Sequence, residues 1–189
     1  MAMPAPEALA AWAQQIKHAD RPAFSALFSA LYPKLVWYTR TLVRDESTAR
    51  DIVQEAFIRL WDRRAALDPN RSIQALLYVT VRNLTRNHQR DTQTRSALLE
   101  RMDTTRTTSS RPDDGLNTEQ LGQHLRRWID ALPTRRREAF ELSRYCGLTH
   151  REIARVMGLS PQTVEKHITQ ALRHLREQLG ALDPDLLQR

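Results

Sequence analysis

A chain of 189 residues with 41% apolar content is long enough to bury one larger core or two small ones, and its 29 Lys and Arg against 22 acids leave a net charge of +7 that fits a polyanionic partner such as nucleic acid. No run reaches the roughly 18 apolar residues of a membrane span, and the opening MAMPAPEALAAWAQQ lacks the basic start and long apolar middle of a secretion signal, so the chain is expected in the cytoplasm. The single cysteine, Cys146, excludes an intramolecular disulfide and any Cys-x-x-Cys metal or redox pair, and reads as a buried structural thiol.

With 5 glycines, no internal repeat and no alternating strand pattern, the chain reads as all-α. Phe24, Leu27, Phe28, Leu31, Leu35, Tyr38 and Leu42 recur at steps of three and four along one stripe. Pro33 is expected to restart that helix at a first turn, where a missing N–H does no harm. Ser47 can cap a second helix that buries Ile52, Val53, Ala56, Phe57, Leu60 and Trp61. The loop ALDPN follows, and Ser72 then caps a third helix with Ile73, Leu76, Leu77, Val81 and Leu84 inward, ending near Arg90. Residues 1–91 therefore form a helical front domain.

Between Asp91 and Thr118, 10 of 28 residues are Ser or Thr and few are apolar, too little to offset the entropy of ordering the backbone. Residues 92–117 are expected to be a flexible linker, with at most a helical turn around Leu98. Order resumes with Leu121, Leu125, Trp128, Ile129 and Leu132, and Pro133-Thr134 opens a further helix through Phe140 and Leu142 to Gly147. A second domain spans 118–182.

Within it, LTHREIARVMGLSPQTVEKHITQAL reads as two short helices bent around Gly158. Thr149 and Glu152 form a capping box, Gly158 supplies a left-handed turn residue, Ser160 caps the next helix, and Pro161 takes its first position. Small Ala154 allows close approach of the pair. Val164, Ile168, Ala171, Leu172 and Leu175 hold the second helix to its domain, which at 100° per residue leaves Gln162, Thr163, Lys166, His167 and Gln170 on the other side. Gln can pair with adenine, Lys with guanine and Thr with either base type, so this face has the composition of a recognition helix in a DNA major groove. A helical hairpin with a merely solvated face is the alternative. Arg135, Arg136 and Arg137 on the preceding helix and Arg151 and Arg155 on the first helix of the pair are candidate phosphate contacts.

The stretch LPTRRREAFELSRYCGLTHREIARVMGLSPQTVEKHITQALRHLR resembles the C-terminal DNA-reading domain of extracytoplasmic-function sigma factors, the small promoter-specificity subunits of bacterial RNA polymerase. DIVQEAFIRLWDRR, residues 51–64, resembles the family helix that docks on the polymerase clamp, and SIQALLYVTVRNLTRNHQR, residues 72–90, its promoter-melting helix. The three segments stand in family order over about residues 20–180. The resemblance implies core RNA polymerase, promoter DNA and an anti-sigma factor as partners, and no cofactor.

On the docking helix, Asp51, Gln54, Glu55 and Asp62 point away from the apolar stripe with Ile58 among them, an apolar residue ringed by acids that suits a protein partner. On the melting helix, Arg71, Arg82, Arg86 and Arg90 occur with Asn83 and Asn87 and no acid between 71 and 90, a composition suited to single-stranded DNA. An unpaired base could be read in a pocket from the ALDPN loop. The family commonly has Asp where Asn87 stands, Trp where Leu76 stands and Ala where Val81 stands, so the minus-ten preference does not carry over directly. TVEKHI resembles the subgroup answering receptors for iron or polysaccharide uptake. A stand-alone repressor could use the same hairpin, and so could a response regulator, although the latter would carry a strand-and-helix receiver that the front half lacks. An enzyme would need a phosphate-cradling glycine loop or a His-Glu-x-x-His motif, and neither is present; the six histidines are scattered.

Overall fold

The computed structural model describes residues 4–43, 45–99 and 118–182, with side chains described for 4–43, 45–92 and 121–182. It is helical throughout, and no β-strand occurs among the described residues. Eight α-helices follow in chain order: α1 (Pro6–Lys17), α2 (Arg21–Leu42), α3 (Glu46–Asp62), α4 (Ile73–Leu99), α5 (Thr118–Asp130), α6 (Thr134–Arg144), α7 (His150–Met157) and α8 (Pro161–Leu182). A 3-10 turn, Arg64–Ala66, links α3 to the loop before α4.

The starts of these helices are fixed by short polar side chains that accept the orphan N–H groups of the first turn. Asp20 accepts from Ala23 at 2.7 Å, Ser72 from Ala75 at 3.1 Å and Ser160 from Thr163 at 3.1 Å. The cap of α3 is Asp45 and not Ser47: the Asp45 carboxylate accepts from the Thr48 N–H and the Ser47 hydroxyl, each at 2.6 Å. A carboxylate holding several donors at a helix start is stabilised in its charged form, and the Asp45 carboxyl is lowered to about 2, chiefly by Ser47 and Thr48.

Pro33 does not restart a helix; α2 runs through it. Pro33 and Ser29, the residue whose carbonyl loses its intrahelical donor, both lie on the solvent side of the helix, where the missing bond costs least. On the opposite side Leu27, Leu31, Leu35 and Tyr38 are fully buried, and that continuous burial outweighs the missing bond. Phe24 and Phe28 pack on Phe57 of α3 with ring centres 6.0 and 4.8 Å apart, and Phe24 meets Trp61 at 5.0 Å.

Helix α1, which adds to the elements expected from the sequence, buries Leu9, Ala13 and Ile16 against the front body. Helix α4 continues past Arg90 to Leu99, so residues 92–99 of the expected linker are helical; residues 100–117 lie outside the described set. Leu76 is 43% exposed on α4, not inward. Leu121 and Leu125 are likewise exposed on α5; that helix uses Ile129, with Leu132 just beyond it, to pack on Phe140, Ala171 and Leu175.

The two bodies are in contact. One continuous core runs from Leu9 through α2, α3 and α4 into Leu142, Cys146, Ile153 and Val164 of the rear half, with α4 lying directly on α7. The Gln74 amide, itself buried, donates to the Cys146 carbonyl at 2.7 Å, and Trp37 meets Tyr145 edge-on with ring centres 5.0 Å apart.

Candidate nucleic-acid interface

In the rear body the turn between α7 and α8 is set by its own residues. Thr149 accepts from the Glu152 N–H at 3.3 Å while the Glu152 carboxylate accepts from the Thr149 N–H at 2.8 Å, completing the reciprocal capping box. Gly158 adopts φ 67° and ψ 43°, where a side chain would cost backbone strain, and it turns the chain into Ser160 and Pro161 at the head of α8. Ile153, Ala154, Val156 and Met157 of α7 face Val164 and Ile168 of α8 across this bend, all of them buried.

That packing aims the outer ridge of α8. Gln162 and Lys166 stand exposed at its N-terminal end, where unpaired backbone N–H groups and the helix dipole favour phosphate. Thr163, His167 and Gln170 are half-buried on the flank toward α6, not on the crest. The Gln170 amide oxygen accepts from Arg136 at 2.8 Å, and the Thr163 hydroxyl lies 2.9 Å from that of Ser160. Burial, with Arg136, Arg135 and Lys166 close by, lowers the His167 imidazole below its usual range. The ridge continues to Thr169 and Arg173, both exposed. They belong to the same i, i+3, i+4 series as Gln162 and Lys166, and carrying the helical-wheel arithmetic one turn further would have found them.

The five arginines proposed for phosphate separate into two kinds. Arg135, Arg151 and Arg155 are exposed. Arg136 is occupied by Gln170, and Arg137 donates to the Asp130 carbonyl at 3.1 Å, so both act first in closing α6 against its neighbours.

In the front body Arg71, Asn83, Arg86, Asn87 and Arg90 are exposed along α4 and its approach, a basic ridge whose first member, Arg71, pairs with Asp68 at 3.3 Å. Arg82 is the exception: its guanidinium is 16% exposed and forms a two-point pair with Glu138 of α6, Nε to Oε1 at 2.7 Å and Nη2 to Oε2 at 3.2 Å. Where the ALDPN loop meets α4 there is a cavity of about 480 Å³ lined by Leu67, Asp68, Arg71, Ser72, Leu76 and Val79, with Arg155 of α7 at its edge. Its size is that of a small-ligand site. Exposure of Leu76, the residue expected to be inward, is explained by its place on this cavity's wall.

On α3, Asp51, Gln54 and Asp62 are exposed and Ile58 is 55% exposed, all on the side away from Phe57 and Val53. Glu55 is half-buried and accepts from Arg59 at 2.7 Å. An apolar side chain left more than half in water on such a face is a feature of protein-binding surfaces. No group of three or more His, Cys, Asp or Glu arranged to hold a metal occurs among the described residues. Nor is any described helix long and apolar enough to cross a membrane.

Comparison with known proteins places these two faces in a shared context. The family profile described as Sigma-70 region 2 matches residues 27–95, and that described as Sigma-70, region 4 matches residues 123–175, together well over half of the chain. Among curated relatives, the RNA polymerase sigma factor CarQ of Myxococcus xanthus is 27% identical over 170 residues, covering 90% of this chain and 97% of that protein. The ECF RNA polymerase sigma factor RpoE of Cereibacter sphaeroides is 29% identical over 165 residues, covering 86% and 90%. In fold the chain is similar to CnrH, solved in complex with the cytosolic domain of CnrY, with a TM-score of 0.62, 24% identity and coverage of 92% and 98%. It is also similar to the sigma factor RpoE of Bartonella quintana, solved with the anti-sigma factor NepR, with a TM-score of 0.61, 20% identity and coverage of 82% and 96%. With region 2 and region 4 matched in order on one helical chain, the protein belongs to the sigma-70 family, in its extracytoplasmic-function group.

Proposed function

We propose the following division of labour for this sigma subunit, which binds core RNA polymerase and directs transcription initiation. The α3 face bearing Asp51, Gln54, Glu55, Ile58 and Asp62 docks on core polymerase. The basic ridge of α4, with Arg71, Arg82, Asn83, Arg86, Asn87 and Arg90, follows the melted minus-ten strand, and an unstacked base enters the cavity beside the ALDPN loop. The head of α8 reads the minus-thirty-five duplex through Gln162 and Lys166, joined from the flank by Thr163, His167 and Gln170, while Arg135, Arg136, Arg137, Arg151 and Arg155 lie toward the phosphates. Opening a base step costs a few kcal/mol. A protein that binds only the unstacked form draws the equilibrium toward melting, with no nucleotide hydrolysis.

The observation that carries this reading is the pairing, on one chain, of a basic stretch of α4, without an acid from Ile73 to Arg90, beside a cavity with a separate helix-turn-helix whose second helix presents Gln162 and Lys166 outward. An anti-sigma factor is the regulatory partner we expect, since both similar solved proteins are recorded in complexes, one of them with a named anti-sigma factor. The work is done in the cytoplasm, where polymerase is. Within the group we assign the chain to the type serving iron or polysaccharide uptake, on the TVEKHI stretch at the head of α8. Gel-shift titration of promoter DNA with and without core polymerase tests the whole: a sigma subunit gives a promoter-specific complex that depends on the core enzyme. Tight duplex binding by the chain alone would make it a stand-alone regulator.

A further inference from the structure

Glu138 sits at a place that the promoter-reading roles do not use. Its carboxylate is buried, 7% exposed as a residue, and faces the front body across the contact between the two halves. It accepts from the fully buried Tyr38 hydroxyl at 2.9 Å and from Arg82 through both oxygens, so α6 is tied to α2 and α4 at one point. Tyr38 lies 100 residues away in sequence and Arg82 lies 56 away, so the pair is a tertiary contact between bodies and not a local helix pair. The Gln74 bond to the Cys146 carbonyl closes the same seam.

Two of the groups read as DNA contacts are drawn into this seam. Arg82 is taken by Glu138, and Arg155 of α7 sits at the edge of the cavity beside the ALDPN loop. The promoter elements impose the opposite geometry. Their names put them roughly 25 base pairs apart, more than two turns of about 34 Å each along the duplex. Helices α4 and α7, packed on one another, cannot lie on both at once.

We infer that Glu138 is a latch: in the free chain its carboxylate holds the two DNA-reading bodies closed and keeps Arg82 off the nucleic acid. The inference rests on the reading of α4 as the strand-binding helix. A carboxylate suits the task because a phosphate can replace it. Arg forms the same two-point pair with either anion, so a DNA strand arriving at α4 exchanges one partner of Arg82 for another and does not strand a buried cation. Binding and opening then favour one another reciprocally. By contrast, removing the carboxylate without a substitute leaves the part-buried Arg82 without its anion, which drives the seam apart.

The test uses the full chain without polymerase, carrying distance labels on cysteines introduced at the exposed positions Ala10 of α1 and Glu177 of α8, with Cys146 left buried. A single narrow distance distribution is expected for the wild-type sequence. Glu138→Gln and Arg82→Ala should each lengthen and broaden it, and Tyr38→Phe should do so to a lesser degree while sparing the ion pair, with circular dichroism confirming that all remain helical. A 10-nucleotide single strand should bind Glu138→Gln about 10-fold more tightly than wild type, because the closed fraction no longer taxes the affinity, and Arg82→Ala should show no such gain. A wild-type chain that is already open, or distances unmoved by Glu138→Gln, overturns the latch. Opening without any gain in strand affinity would refute the strand-binding role of α4 and leave the latch standing.

Discussion

The angle between α7 and α8 depends on one backbone position, and its contribution to stability can be worked out from the structure. Gly158 sits at φ 67° and ψ 43°, and a Cβ built there would meet nothing within 4 Å. Replacement by Ala therefore carries no clash, and the cost is that of the left-handed conformation alone, about 1–2 kcal/mol for an L-residue. Ala also restricts the unfolded chain, returning about 0.4–1 kcal/mol. The net expectation for Gly158→Ala is a loss of about 1 kcal/mol. Ala19, in the turn between α1 and α2, supplies the reverse experiment, because it already holds φ 65° with a side chain attached. Ala19→Gly should gain a similar amount. Urea unfolding of both variants, with the slope unchanged so that the midpoint alone reports stability, gives the two signs side by side. A Gly158→Ala variant as stable as wild type or more so would refute the backbone argument, as would an Ala19→Gly variant that is destabilised.

Further outcomes follow from the faces described. Lys166→Ala should cost about 1–3 kcal/mol of discrimination at one base pair of the minus-thirty-five element; an equal loss on every promoter, measured by competition binding, would make Lys166 a phosphate contact. Ile58→Glu, at a position 55% exposed, should leave the melting temperature near wild type and weaken core polymerase binding by roughly 10-fold. Unchanged affinity in a direct binding titration would remove the α3 face from the docking surface. Glu141 is raised to about 7 by burial, with Asp130 and Glu138 reinforcing that effect and Arg137 opposing it. The folded state then holds a proton that the unfolded state has released. This contribution to stability is therefore present at low pH and lost as pH rises from the usual carboxylate range to about 7. Glu141→Gln should flatten that fall, as seen in unfolding midpoints at pH 5 and pH 8; a wild-type slope retained in the variant would place the titrating group elsewhere.

What the sequence conveys is clearest where local chemistry decides. The Thr149–Glu152 box, the left-handed Gly158, the Ser160 cap and the Ser72 cap are all set within four residues of chain, and all appear as read. The buried stripe of α8 and the exposure of Ile58 follow from helical periodicity alone. Legibility fails where distant packing decides. Pro33 reads as a break because a local rule applies to it, yet four fully buried residues on the far side of α2 hold the helix through it. Leu121 and Leu125 are apolar at helical spacing yet both stand exposed, and Leu125 instead lines a groove with Trp37 and Tyr145, formed where the two bodies meet. Arg82 reads as one basic residue among several, and nothing within 50 residues of it announces Glu138. Helix α1 was recoverable: Leu9, Trp12, Ala13 and Ile16 step by three and four behind a Pro at the helix start.

The most direct trial of the account is transcription reconstituted from purified core RNA polymerase, with and without this chain, on templates carrying several promoters. The account predicts that the chain binds the core enzyme and confers initiation at a restricted set of start sites, lost when the head of α8 or the basic ridge of α4 is altered. Failure to bind core polymerase, or an unchanged pattern of start sites in its presence, would contradict it.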